Sequence, residues 1–152
     1  VFGELMYLLE YRDQRVRLSV DGQEFAIPKN VRIIGTMNTA DRSIALVDHA
    51  LRRRFAFIGL YPRYDVLAHY HACQGTGFPV DRLITVLKRL NEEIGDPNYA
   101  VGITFFMRQD LHDSIANIWQ MEIEPYLEEY FFDRRSRVDA YRWHRVTNDI
   151  LS

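Results

Sequence analysis

The chain has 152 residues and a mass of 18.0 kDa, room for one ordinary domain or one domain with a small appendage. It is 47% hydrophobic and 26% charged, which excludes a disordered tail, a collagen-like repeat and a coiled-coil rod. A formal net charge of -2, from 19 basic and 21 acidic groups, excludes a broadly basic nucleic-acid binder. Lysine occurs only at positions 29 and 88, so nearly all the positive charge is arginine. The planar guanidinium suits carboxylates, phosphates and subunit contacts. Cys73 is the only cysteine, so no internal disulfide can form and a reducing, cytoplasmic compartment is expected. No apolar run reaches the length of a membrane helix, and no secretory pattern opens the sequence. The start at Val1, inside an amphipathic pattern, reads as a fragment or a processed product.

Phe2, Leu5, Met6 and Leu9 repeat at helical spacing, which predicts a helix over residues 1–10. Val16, Leu18 and Val20 alternate, Asp21-Gly22 follows, and Phe25 and Ile27 alternate again. This pattern predicts a hairpin with a tight primed turn at Asp-Gly. Val31, Ile33 and Ile34 lead into Gly35-Thr36-Met37 without polar alternation, as in a strand buried on both faces of a parallel sheet. Asn38 to Arg42 is polar and looplike, and Ser43 stands where it can cap a helix carrying Ile44, Val47 and Leu51. Arg52, Arg53 and Arg54 fall in the last turn of that helix, and Phe55 to Leu60 reads as a second strand.

Beyond Pro62 the pattern turns helical. Val66, Leu67 and Tyr70 give one stripe, closed by Gly75 and Gly77; Leu83, Ile84, Leu87, Leu90 and Ile94 give a stronger one, closed by Gly95 and Pro97. Residues 99–107 are apolar and of undetermined type. The longest stripe runs from Ile115 to Phe131 with Pro125 inside it, which predicts a kink or a restart there. A weaker helix covers roughly Ser136 to Ile150. Charge divides at the same place: residues 1–61 hold 9 basic and 7 acidic groups, and residues 62–152 hold 10 and 14. An α/β piece, 1–61, followed by an all-helical piece, 62–152, is the expected organisation.

The densest polar cluster, Thr36 to Ser43, follows a predicted buried strand. Ligand sites in open parallel sheets lie at that end of a strand, and the neutral Asn38 amide both donates and accepts. An Asx-type turn capping the next helix is the plainer reading. Arg52, Arg53 and Arg54 at a helix end suit the charge of a transferring phosphoryl group, and equally suit a solvated terminus that complements the helix dipole. The two clusters flank one predicted helix between two predicted strands.

These residues carry a family resemblance. Ile33-Ile34-Gly35-Thr36-Met37-Asn38-Thr39-Ala40-Asp41-Arg42-Ser43, followed by Leu46-Val47-Asp48-His49-Ala50-Leu51-Arg52-Arg53-Arg54-Phe55, closely resembles the McrB-type AAA+ GTPases, motor subunits of modification-dependent restriction systems. Met-Asn-Thr-Ala-Asp is that family's signature. Val1 to Met6 resembles the helix after the family's Walker B strand, and Pro125 to Asp133 resembles the end of its helical lid. The resemblance is strongest over residues 31–62.

It implies the C-terminal half of a P-loop AAA+ core (a helix, a β-hairpin and two core strands), followed by an all-α lid. It implies that Asn38 positions the attacking water, with Asp41 and Arg42 in the same loop, which in the family also meets an activating McrC-like nuclease subunit. Arg53 and Arg54 would act in trans on a neighbouring subunit's nucleotide. Thr39, Arg52 and Gly102 are carried over as nucleotide-contacting positions. Implied partners are a homo-oligomeric ring, the McrC-like subunit and DNA, reached through a domain outside these residues. The cofactors are GTP, or ATP, with Mg²⁺. One departure lies in the lid: Val101-Gly102-Ile103-Thr104-Phe105-Phe106 has Ile103 where many members have His or Pro. A larger one is that residues 1–152 contain no Gly-rich loop with Lys and Ser/Thr and no acidic Walker B pair. The isolated chain is accordingly expected to bind GTP negligibly and to self-associate.

Two other function classes stay open at this stage. One is an ATP-dependent AAA+ remodeller; the other is a non-catalytic binding module, if the natural chain is this short. His69-x-His71-x-Cys73 resembles a metal cluster in composition, but alternate helical positions diverge, so no metal site is expected. Cys73 reads as a core thiol.

Overall fold

The computed structural model describes residues 2–38 and 52–152. The chain divides into two compact units, Val1–Gly59 and Leu60–Ser152.

In the first unit, helix α1 (Phe2–Glu10) buries Leu8 completely. Strands β1 (Val16–Arg17) and β2 (Glu24–Phe25) pair antiparallel with Val16 opposite Phe25. The hairpin is present, but its turn is longer than expected. Leu18 N–H donates to the Gln23 carbonyl at 2.9 Å, leaving four residues in the loop. Asp21 turns back to accept from Gln23 N–H at 3.0 Å, and Gly22 takes the left-handed φ of 69°. The Asp side chain thus makes an Asx-type turn ahead of the glycine, which displaces the two-residue turn.

The two core strands expected at 31–37 and 55–60 are not formed among the described residues. Both segments lack a ladder. Ile34 is 91% exposed, Ile58 82% and Leu60 92%. The reason is physical: an apolar run marks what a strand would bury, while its hydrogen bonds and cover must come from neighbouring strands. The only described strands are the two short ones of the hairpin.

The second unit is helical: α2 (Tyr64–Gln74), α3 (Val80–Ile94), α4 (Leu111–Ile118), α5 (Glu124–Tyr130), α6 (Arg135–Asp139) and α7 (Trp143–Leu151). Gly75 at φ 59° and Gly95 at φ 72° end α2 and α3, as left-handed C-caps that only glycine takes at little cost. Residues 99–107 resolve into short 3-10 turns, Pro97–Tyr99 and Thr104–Phe106. A π turn, Trp119–Ile123, joins α4 to α5, and Pro125 stands in the first turn of α5. Proline has no N–H to continue the α ladder, so the break falls at the expected place. The weaker C-terminal helix is two helices, α6 and α7.

One continuous core fills this unit, with Leu83, Leu87, Leu90, Phe106, Trp119 and Leu127 fully buried. Trp119 Nε1–H donates to the Tyr141 carbonyl at 2.8 Å, satisfying the one polar atom of the largest core side chain. Glu124, whose side chain is 13% exposed, accepts from Trp143 N–H and from Arg142, both at 2.8 Å. Its carboxylate therefore caps the start of α7.

Candidate functional site

Asn38 is exposed at the end of the first described segment. Thr39, Asp41 and Arg42 lie outside the described residues, as does the helix expected from Ser43 to Leu51. Arg52 has helical backbone, and Arg53-Arg54 form the turn after it.

The three arginines differ in surroundings. Arg52 lies over the Phe57 ring, 6.0 Å from its centroid. Arg54 is turned inward, its side chain 17% exposed, and pairs with Glu10 at the end of α1. Arg52 and Arg53 are both exposed, but Arg52 has the Phe57 ring beside it, whereas Arg53 stands on the turn that Arg54 anchors to Glu10. A neutral amide and a solvent-facing guanidinium are hydrogen-bond donors suited to phosphate oxygens.

Gly102 lies in the long connection between α3 and α4. A Cβ built there would meet Thr104 Oγ1 at 3.8 Å, an ordinary contact. The chain's own packing therefore does not demand glycine at this position.

That connection, residues 95–110, has little regular backbone pairing, and polar side chains from three helices hold it instead. Tyr130 OH donates to the Ile94 carbonyl at 3.0 Å, and Tyr126 OH donates to the Tyr99 carbonyl. Asn91 is bidentate on Val101: it accepts from Val101 N–H at 2.7 Å and donates to the Val101 carbonyl at 3.1 Å. Its amide also donates to Tyr64 OH at 2.9 Å. His71, 3% exposed, has Nε2 2.9 Å from the Phe106 carbonyl and Nδ1 2.8 Å from Thr76 Oγ1. A carbonyl only accepts, so Nε2 carries the hydrogen. Burial pushes the Tyr126 phenol up to about 12, which keeps it a donor through the neutral range.

These clips were not read from the sequence, although each left a trace. Asn91 falls on the same face of α3 as Leu87, Leu90 and Ile94, a polar residue within an apolar stripe. His71 likewise sits four residues after Leu67 on α2, both buried. His71 and Cys73 do diverge: His71 points into the core, whereas Cys73 is exposed, with His69 Nε2 3.4 Å from its sulfur. The expectation of a core thiol is corrected: position 73 is on the solvent side of α2, one helical turn from His69. Beside the same connection, a groove of about 430 Å³ is lined by Tyr61, Tyr64, Lys88, Asn91, Pro97 and Ala100, among others. Lys88 lies 5.6 Å from the centre of the Tyr64 ring.

Comparison with known proteins places the helical unit. Residues 82–139 match the family described as the McrB alpha-helical lid domain. A curated relative, the Type IV methyl-directed restriction enzyme EcoKMcrB subunit of Escherichia coli (strain K12), is 36% identical over an alignment covering 99% of this chain. The chain spans 37% of that relative's length. No helix among the described residues is long and apolar enough to cross a membrane.

Proposed function

This chain is of the McrB AAA+ type, and from that premise we propose that it is part of a GTP-hydrolysing ring motor that powers a modification-dependent DNA restriction endonuclease. The observation that carries the reading is continuity: the similarity covers both the lid and the Met37-Asn38-Thr39-Ala40-Asp41 segment ahead of it. In this reading residues 1–61 belong to the α/β core and residues 62–152 are the lid. The exposed apolar segments 31–37 and 55–60 would pair with strands outside residues 1–152. The phosphate cradle and the Mg²⁺ ligands would also lie outside them, because no motif for either occurs here. Compartment follows from the same reading and from the single cysteine: cytoplasmic.

The roles follow from donor chemistry. Asn38 would orient the attacking water, its amide accepting from the water while donating to a phosphate oxygen. Arg53 would reach the nucleotide of the neighbouring subunit and offset charge developing on the γ-phosphoryl group. Arg54, paired with Glu10, would fix the turn from which Arg53 projects, in addition to any trans contact of its own. Thr39, Arg52 and Gly102 would contact nucleotide, and Asp41 and Arg42 would face an McrC-like activator. Bound Mg²⁺ would supply neutralisation of the β- and γ-phosphate oxygens. GTP is preferred over ATP here on family grounds alone.

Complementation in the full chain that carries these residues tests the assignment. Asn38→Ala and Arg53→Ala are each expected to cut GTP turnover by about 10²- to 10³-fold, with ring assembly intact by sedimentation. Mixing the two variants should restore part of the activity, since some sites then combine an intact Asn38 with a neighbour's intact Arg53. Unchanged turnover in either variant removes that residue's role. Absence of any recovery on mixing removes action in trans, and faster turnover of ATP than of GTP would favour a remodeller.

A further inference from the structure

We infer that Asn91 is the positioning residue of the lid connection, holding Val101 so that Gly102 and the exposed Thr104 meet bound nucleotide in one fixed place. The inference rests on the reading of Gly102 as a nucleotide contact and adds the device that places it. Three observations lead to Asn91. It binds both backbone groups of Val101, the residue next to Gly102, at 2.7 and 3.1 Å. It is itself held by Tyr64 OH at 2.9 Å, so its amide has a fixed orientation. It projects from α3, the most strongly amphipathic long helix of the unit, whose face packs into the core through Leu87, Leu90 and Ile94.

A side-chain amide bonded to both the N–H and the C=O of one residue ties down the two peptide groups that flank its Cα, and so fixes both the position and the rotation of the backbone there. A single hydroxyl, such as Tyr130 on Ile94, fixes only position. Ile94 is the last residue of α3, and its carbonyl is an ordinary orphan of a helix end. Val101 is not at a helix end, so bidentate capture there serves the connection itself. Beyond the clip, Gly102 is half-buried with only Thr104 Oγ1 near the place of a Cβ, at 3.8 Å, and Thr104 is exposed. The connection therefore presents a small residue and a hydroxyl from a backbone that is already ordered, which lowers the cost of binding a ligand against it.

The prediction is a split between binding and turnover. In the full chain, Asn91→Leu should raise KM for GTP, and Kd for a fluorescent GTP analogue, about tenfold while kcat stays within about twofold. Asn91→Asp keeps the acceptor for Val101 N–H but loses the donor, and should fall between. Tyr130→Phe is the control: it removes a single hydroxyl bond to the end of α3 rather than to Val101, and should lower the melting temperature with KM unchanged. KM and Kd unmoved by Asn91→Leu, or raised equally by Tyr130→Phe, would make Asn91 a structural residue only and overturn the assignment. If the unaltered full chain binds neither GTP nor ATP, the nucleotide reading fails first and this assignment falls with it; normal GTP binding that ignores Asn91 defeats this assignment alone.

Discussion

The two units contrast in how they use apolar residues. From Leu60 onward the stripes meet one another, and one core buries Trp119, Phe106 and the leucines of α3 and α4. Before Gly59 only Leu8 and Ile27 are buried among the described hydrophobic residues, while Ile34, Phe57 and Ile58 face solvent. The apolar content of the two is alike in kind. What differs is the source of the cover: a helix stripe can be covered by the next helix in the chain, whereas an inner strand must find partners from distant sequence. The second unit thus closes on itself, and the first does not.

The largest effect that would test this contrast lies in the lid core. Trp119→Ala should cost about 3–5 kcal/mol, from lost contacts and the cavity left behind, and also strands the Tyr141 carbonyl. Thermal unfolding should show one early, broad transition for the lid; a shift of only a degree or two would mean that the core is looser than its burial indicates. The matching change in the first unit should do far less. Ile34→Asp together with Ile58→Asp should alter stability by under about 0.5 kcal/mol each, the range for exposed positions. The same pair should move the 1–152 chain toward monomer in sedimentation, since exposed apolar edges drive association. A large loss of stability instead would show that these side chains are buried in solution, and the contrast would fail.

The smallest effect is a pH dependence confined to the lid. Tyr126 is raised to about 12, mainly by desolvation. A raised phenol stabilises the fold below its unfolded value near 10, and that contribution is lost as pH rises toward the folded value. Lid stability should therefore decline from about pH 10 to 12, and Tyr126→Phe should flatten the decline. An unchanged slope in that variant would assign the alkaline loss to other groups.

Legibility followed the same divide. Leu83, Ile84, Leu87, Leu90 and Ile94 were readable as one helix face because helical spacing and Gly95 are local signals, and all five are buried. The break at Pro125 was equally local. Segments 31–37 and 55–60 were readable as apolar but not as strands in this structure, because pairing is not a local property. The clips on the 95–110 connection were missed because Asn91, His71 and Tyr126 act on backbone atoms up to 35 residues away, which periodicity does not register. Of the candidate site, the residue types at Asn38 and Arg52–Arg54 were plain from sequence. That Arg54 turns toward Glu10 while Arg53 stays exposed required the fold.

The π turn at Trp119–Ile123 has a consequence for length. Leu111, Ile115, Trp119, Ile123, Leu127 and Phe131 are all buried and spaced by four. An α-helix advances about 100° per residue, so each four-residue step overshoots by about 40°, and five steps would carry the stripe about 200° around the axis. The wider π turn advances less per residue and takes part of that overshoot back. The segment is therefore a phase setting as well as a joint. Deleting one residue within it would rotate all that follows by about 100°, swinging Leu127 and Phe131 toward solvent. Drift by substitution is open to this stretch, whereas a change of one residue in its length must be matched by a second that restores the angle.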